Sequence, residues 1–325
     1  MTKGTDMITL TIQKNEANQR FDKFLKKRFH NAPSSFLYKM LRKKNIVLNG
    51  KKAEGREMLS IGDTVTCFFS EETFRKFEGA GEKEDWKTDP RYLPPDILYE
   101  TEELLFFNKP PGMLSQKADE SDFSANEQLL RYLYEKGALT DDDLLSFHPS
   151  VVNRLDRNTS GILIGGKTLA GLKTASSLLR ERTLEKYYHA IVHGRYEKPA
   201  SRDGWIVKDQ KKNVVRFSEK KVEGAQHIRT DFWPIRIFRD QTLLSIRLHT
   251  GKSHQIRVHL ASEGYPIIGD PKYGDRKKDR ILPAQTNISR QMLHARQIIL
   301  PDGETITAPY PEDFKRVLEA IEKVG

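Results

Sequence analysis

The sequence predicts a mixed α+β fold in two unequal units. Its strand-like runs are short and bounded by Gly, Pro or Asp, and amphipathic helical stretches fall between them without a regular βαβ alternation. Its positive charge is also concentrated at one end: of a net +10, residues 1–76 contribute +8, from 16 Lys and Arg against 8 Asp and Glu. A basic module beside a near-neutral body points to a polyanion, with nucleic acid first, because phosphate contacts supply salt-dependent affinity. At 325 residues the chain has room for roughly two domains of about 150 residues each. Its mean hydropathy of −0.65 is polar, but apolar residues are spread along its length, so it is expected to fold throughout. A lone cysteine, Cys67, excludes an intramolecular disulfide and every multi-cysteine zinc site. The basic start MTKGTDM lacks a signal peptide's apolar core, and no apolar run approaches the roughly 18 residues of a membrane span. The expectation is a cytoplasmic protein that does not meet membranes.

In chain order, Phe21, Phe24, Leu25 and Phe29 recur at helical spacing, with Lys23, Lys26, Lys27 and Arg28 on the other face, which predicts a basic amphipathic helix. Ser34 reads as the cap of a second helix that buries Leu37, Met40 and Leu41. Lys39, Arg42, Lys43 and Lys44 gather at that helix's C-terminal end, where the dipole favours cations. A short apolar run at 46–48, an Asn49-Gly50 type I′ turn and the alternation Val65, Cys67, Phe69 then read as strands, with Cys67 in the core. Carried by RFDKFLKKRF, SSFLYKMLRKKNIVLNGKKA and LSIGDTVTCFF, residues 7–70 resemble an S4 RNA-binding domain. The resemblance implies RNA contact through Lys39, Arg42, Lys43 and Lys44; a solvated charge is the alternative for each. Residues 1–76 are read as this domain, residues 77–95, rich in Gly, Glu, Lys and Pro without a period, as a linker, and residues 96–325 as the larger domain.

In the larger domain, strands are expected at 104–107, 162–165, 188–192, 243–248 and 256–260, and helices at 126–136, 169–180 and 312–323. The phosphate-binding, dinucleotide and zinc-protease motifs GxxxxGK[ST], GxGxxG and HExxH are missing. His249, His254 and His259 recur every five residues, which on strands scatters them between faces, so no metal site is expected.

The chemistry concentrates in VVNRLDRNTSG, residues 151–161, where an aspartate lies between two arginines just before the apolar run GILIGG. Neighbouring cations favour a carboxylate in its ionised form, suited to nucleophilic or general-base work; a structural ion pair in a turn is the plainer alternative. The motif resembles that of the RluA-type pseudouridine synthases, the branch with the RluC- and RluD-like large-subunit rRNA enzymes. The likeness continues through LYETEELLFFNKPPGMLSQK, EKYYHAIVHG, LHTGKSHQIRVHLASEGYPIIGDPKYG and QMLHARQIIL, in the family's order. It implies a catalytic domain built on a central, largely antiparallel sheet. By the same resemblance Asp156 matches the catalytic aspartate, Arg154 the arginine that enters the RNA stack as the base leaves, Tyr188 the tyrosine that stacks on the flipped uracil, and Arg257 the basic partner of the aspartate. Lys109-Pro110 and Leu293-His294-Ala295 match motifs that shape the pocket, while Asn153 stands where the family usually has His. Tyr187 is the alternative to Tyr188 as the pocket residue.

These roles fit the chemistry. Isomerising uridine breaks C1′–N1 and joins C5 to C1′, and a carboxylate can attack C1′ or remove a sugar proton without any cofactor or metal. Extracting the base costs a few kcal/mol, which an arginine plug and an aromatic platform offset. Ribosomal RNA of the large subunit is the expected substrate, with transfer RNA second and no obligate protein partner. A non-catalytic assembly factor on the same fold is the reading from another class, opposed by the intact Asp156, Tyr188 and Arg257; glycoside hydrolysis lacks its second acid. Lys277, Lys278, Arg280 and Arg290 are candidates to line the RNA path, a solvated loop being the alternative. Removing residues 1–76 is expected to weaken RNA binding and flatten its salt dependence while the remainder stays folded. Binding titrations across salt concentrations read that slope, and an unchanged slope contradicts the docking role.

Overall fold

Apolar alternation in short segments draws the chain into two sheets with separate cores. The computed structural model describes residues 7–78, 85–209 and 214–323. In the first unit β1 (Met7–Thr11), β2 (Ile46–Leu48), β3 (Lys51–Lys52) and β4 (Thr64–Phe68) form an antiparallel sheet in the order β1-β4-β2-β3. Helices α1 (Phe21–Arg28), α2 (Ser34–Arg42) and α3 (Glu71–Glu78) accompany it. Phe21, Phe24, Leu25, Phe29, Ile46, Val65 and Cys67 are fully buried together. Asn49 and Gly50 take φ of 51° and 70°, the left-handed pair that a type I′ turn requires. Ser34 does not cap α2. The helix is entered from Pro33, whose carbonyl accepts from Phe36 N and Leu37 N, and Ser34 is its first residue.

The segment after α3 resumes with a 3₁₀ turn, Asp85–Lys87, whose Trp86 packs edge-on against Tyr134. Leu93 O accepts from Gln128 Nε2 at 2.7 Å and Asp89 O from Arg131 Nη1 at 2.8 Å, so residues 85–93 lie on the larger unit.

That unit comprises β5 (Asp96–Glu100), β6 (Leu104–Lys109), α4 (Ala125–Glu135), α5 (Asp141–Leu144), β7 (Ser150–Val151), β8 (Ser160–Gly166), α6 (Leu169–Glu181), β9 (Glu185–His193), β10 (Ala200–Asp209), β11 (Val214–Ser218), β12 (Gln226–Ile237), β13 (Gln241–Leu248), α7 (Gln255–Ser262), α8 (Arg276–Asp279), β14 (Leu293–Ile299), β15 (Thr305–Thr307) and α9 (Glu312–Glu322). Among the described residues its strands make one sheet ordered β11-β10-β12-β13-β9-β14-β8-β6-β5, with β15 on β14 and β7 on β8. Every pairing in it is antiparallel except β8 with β14, so the expected α+β class and largely antiparallel sheet are present.

The expected strand at 256–260 is instead helix α7. Gln255 to Leu260 are all buried, so the helix has no polar face to give it a helical period, and the alternation Ile-Arg-Val-His-Leu mimics a strand. Arg257 and His259 are tolerated there because each meets a polar partner, Asp270 and Thr230.

The two units meet at polar contacts. Arg28, paired within its own unit with Glu78 at 2.8 Å, bridges Asp142 at 3.0 Å, Glu16 Oε1 accepts from Ser146 Oγ at 2.6 Å, and Asn15 Oδ1 accepts from Leu169 N at 3.4 Å.

The crossing of β8 and β14 sets the mouth of the functional loop. Their parallel register pairs Ser160 with His294 and Gly161 with Ala295, and Ser160 Oγ lies 2.9 Å from His294 Nδ1. Gly161 has a φ of 111°, and a Cβ there would stand 2.2 Å from Ala295 O. Gly161→Ala is therefore expected to destabilise the protein by roughly 2–5 kcal/mol, from strain and overpacking together. Denaturant unfolding of the variant against the wild type measures it.

Candidate active site

The loop between β7 and β8 is held from below by groups that sequence reasoning placed only as flanking motifs. Lys109, fully buried at the end of β6, donates Nζ to Pro110 O and Met113 O at 2.8 Å and to Arg157 O at 3.0 Å. Three carbonyls thus meet three N–H bonds, although burial, helped by the Arg290 charge and opposed by Asp156, pushes the amine down to about 7. Ser115 Oγ accepts from Leu155 N at 2.9 Å and lies 3.0 Å from Leu155 O. Asn153, at the position where the family usually has His, ties the loop to its own strand: Oδ1 accepts from Ile164 N at 2.8 Å and Nδ2 donates to Ile162 O at 3.2 Å.

Arg290 is not on an open RNA path. It is 4% exposed, grips Asp313 through two bonds of 2.5 and 2.7 Å, and donates to Asn158 O at 3.0 Å, clamping the loop from behind. A buried guanidinium is held by charge-assisted bonds to a half-buried carboxylate and to carbonyl acceptors. Lys277, Lys278 and Arg280 are exposed.

At the tip of this loop the Asp156 carboxylate, 28% exposed, accepts from Arg257 Nη1 at 2.7 Å. The other edge of the guanidinium is bound by Asp270, Nε to Oδ2 at 2.7 Å and Nη2 to Oδ1 at 2.8 Å. Asp270 is completely buried and also accepts from the backbone of Lys272 and Tyr273 at 2.9 and 3.1 Å. Burial opposes the charge on both partners, but their mutual hydrogen bonds and charges prevail: the Arg257 pKa is raised and the Asp270 carboxyl is held below the usual 3.8. One cation between two carboxylates leaves the group with an excess negative charge, which Asp156 presents at the open side.

Tyr188 is 9% exposed on β9, beside Ile246 and Ala295 in register. Burial, followed by the Asp156 charge, raises its phenol pKa. Tyr187 points to the other face of the strand, its hydroxyl on Glu185 at 2.7 Å and its ring near Trp233. Arg154 is exposed and has no ion-pair partner among the described residues. Lys39, Arg42, Lys43 and Lys44 are exposed on the smaller unit and share no hydrogen bond or ion pair with the Asp156 group.

Two members of the group were not singled out from sequence. Asp270 lies in the GDPKYG stretch, where the need of an inward arginine for a carboxylate could have found it. His254, weighed only as a metal ligand, has Nε2 4.0 Å from Asp156 Oδ1. Among the described residues no three His, Cys, Asp or Glu side chains are grouped to hold a metal ion, and no helix is long and apolar enough to cross a membrane.

Residues 103–262 match the family model described as RNA pseudouridylate synthase. The chain is 30% identical to ribosomal large subunit pseudouridine synthase C of Vibrio vulnificus over 98% of its own length and 97% of the relative's. It is 31% identical to the protein of that name from Escherichia coli over 98% of both chains. Among solved structures, human RNA pseudouridylate synthase domain containing 4 shares the fold at a TM-score of 0.56, with 22% identity over 70% of this chain and 92% of that one.

Asp270→Asn removes the buried, doubly bonded carboxylate partner of Arg257, leaving only half-buried Asp156 opposite it, and is expected to cost about 3–5 kcal/mol in urea unfolding at neutral pH. Because the Asp270 carboxyl titrates below its unfolded value of 3.8, its contribution is complete above that value and is lost as the pH falls through the folded one. The wild type's advantage over Asp270→Asn should accordingly shrink on acidification below about pH 4.

Proposed function

The chain belongs to the RNA pseudouridylate synthase family, in its RluA-type branch, and from that premise we propose that it isomerises uridines of large-subunit ribosomal RNA to pseudouridine through Asp156. It is an isomerase acting on RNA. The observation that carries the site assignment is the Asp156–Arg257–Asp270 arrangement: a carboxylate one-quarter exposed, oriented by a guanidinium whose own charge is already balanced from the other side.

The reaction is a net isomerisation. The C1′–N1 bond breaks, the uracil turns, C5 bonds to C1′, and the C5 proton leaves while N1 takes one up. Asp156 either attacks C1′ or removes a sugar proton, and both routes need the anion that Arg257 orients. Tyr188 supplies a buried aromatic wall for the uracil, its hydroxyl kept protonated by its surroundings. Arg154, exposed two residues before Asp156 and unpaired among the described residues, fills the gap in the RNA stack.

The first 76 residues act as an S4 domain that docks RNA through Lys39, Arg42, Lys43 and Lys44; residues 77–95 connect it to the catalytic domain, residues 96–325. In support, these four cations are exposed and carry no ion pair among the described residues, so their charge is available to phosphates. The cytoplasm, where ribosomal RNA is made and modified, is the proposed location.

The test is tritium release from unmodified large-subunit rRNA labelled at uridine C5. The wild type is expected to release it and Asp156→Ala to give background only, with both folded by circular dichroism. Release by neither, while both bind the RNA, overturns the catalytic reading in favour of a binding-only factor. Mapping pseudouridines lost from a deletion strain tests the substrate: losses confined to transfer RNA overturn the ribosomal assignment.

A further inference from the structure

The nitrogen of His254 nearest Asp156 has no hydrogen-bond partner among the described residues. His254 takes the left-handed backbone, φ 56°, immediately before α7, and this turns its ring into the Asp156 group. Nδ1 lies 2.8 Å from the Tyr273 hydroxyl. That hydroxyl accepts from Val215 N at 2.8 Å and has its own proton to give to Nδ1; in the tautomer this pairing favours, the histidine proton is carried by Nε2, facing Asp156. The ring is neutral near pH 7: burial, with the Arg257 and Lys272 charges, lowers its pKa against the opposing pull of Asp156 and Asp270.

The 4.0 Å from Nε2 to Asp156 Oδ1 is too long for a direct hydrogen bond. It suits one hydroxyl placed against both, accepting from Nε2–H and donating to Oδ1. Either route open to Asp156 brings the C1′–C2′ edge of the target ribose against the carboxylate, and the ribose carries its 2′-hydroxyl on that edge. We propose that His254 is a specificity-determining residue that recognises the 2′-hydroxyl of the target uridine, holding it between Nε2 and Asp156. The inference rests on the proposed reaction and adds to it how the site distinguishes RNA from a deoxy strand at the reacting nucleotide.

The full-length protein would be tested on an RNA fragment spanning a mapped target, with ribose or 2′-deoxyribose at that single uridine. His254→Asn suits the left-handed backbone and keeps an amide near Tyr273, but it is too short to reach toward Asp156. His254→Gln restores a donor at the Nε2 position. The wild type should bind the ribo fragment several-fold to about tenfold more tightly than the deoxy one, the size of one hydrogen bond. His254→Asn should bring that ratio close to one by weakening only the ribo complex, and His254→Gln should recover part of it. A wild-type ratio in His254→Asn, or equal weakening of both complexes, overturns the inference. If the wild type releases no tritium from the ribo fragment, the proposed reaction fails instead.

Discussion

Arg257 is a guanidinium, 5% exposed, that the fold can bury only by surrounding it with negative charge. Asp270 binds it through two bonds and neutralises it; Asp156 takes the one remaining edge. The consequence reaches three parts of the chain, since α7, the turn after Asp270 and the loop before β8 must all converge on one cation. It also fixes the sign of the site. Two carboxylates around one arginine give a local excess of one negative charge, and the burial of Asp270 leaves that excess to the carboxylate open to solvent. A locally acidic group is thereby built into a chain of net positive charge.

The supports of the Asp156 loop follow the same logic with backbone carbonyls as acceptors, joined at Arg290 by the Asp313 carboxylate. Lys109 gathers three of them and Arg290 another two, one from the loop itself. Amine and guanidinium groups are suited to this, because each carries several N–H bonds and so holds several acceptors at once. The lysine and arginine that look in the sequence like pocket edges or further RNA contacts are thus hydrogen-bond donors spent inside the protein. Among the cations singled out from sequence as RNA contacts, those left for phosphate are the exposed ones: Arg154, Lys277, Lys278, Arg280 and the group from Lys39 to Lys44.

How much of this was readable in the sequence depended on whether a residue's partner was local. Amphipathic helices α1, α4, α6 and α9 and the alternating strand β13 announce themselves because each has one wet face. Helix α7 does not, since it is buried all round and the partners that Arg257 and the Nδ1 of His259 meet, Asp270 and Thr230, lie well away in sequence. Asp156 could be found from its flanking arginines and family resemblance, whereas Asp270 and His254 act through partners across more than a dozen or about a hundred positions. Spacing carried no sign of either. Ser34 misled for a local reason: a hydroxyl in the right place is outcompeted when the preceding proline already opens the helix.

The position of β14 governs when the site can exist. It lies between β9 and β8 in the sheet although it is the last long strand of the chain, and its parallel contact with β8 joins residues more than 130 positions apart. Until residues 293–299 have been made, β8 and β9 each present an open edge and Gly161 has no neighbour to pass. During synthesis, then, the basic N-terminal unit is free of the tunnel and able to fold long before the surroundings of Asp156 are in place. An enzyme that acts on RNA thus has its site completed only once β14 has been made and has passed between β9 and β8.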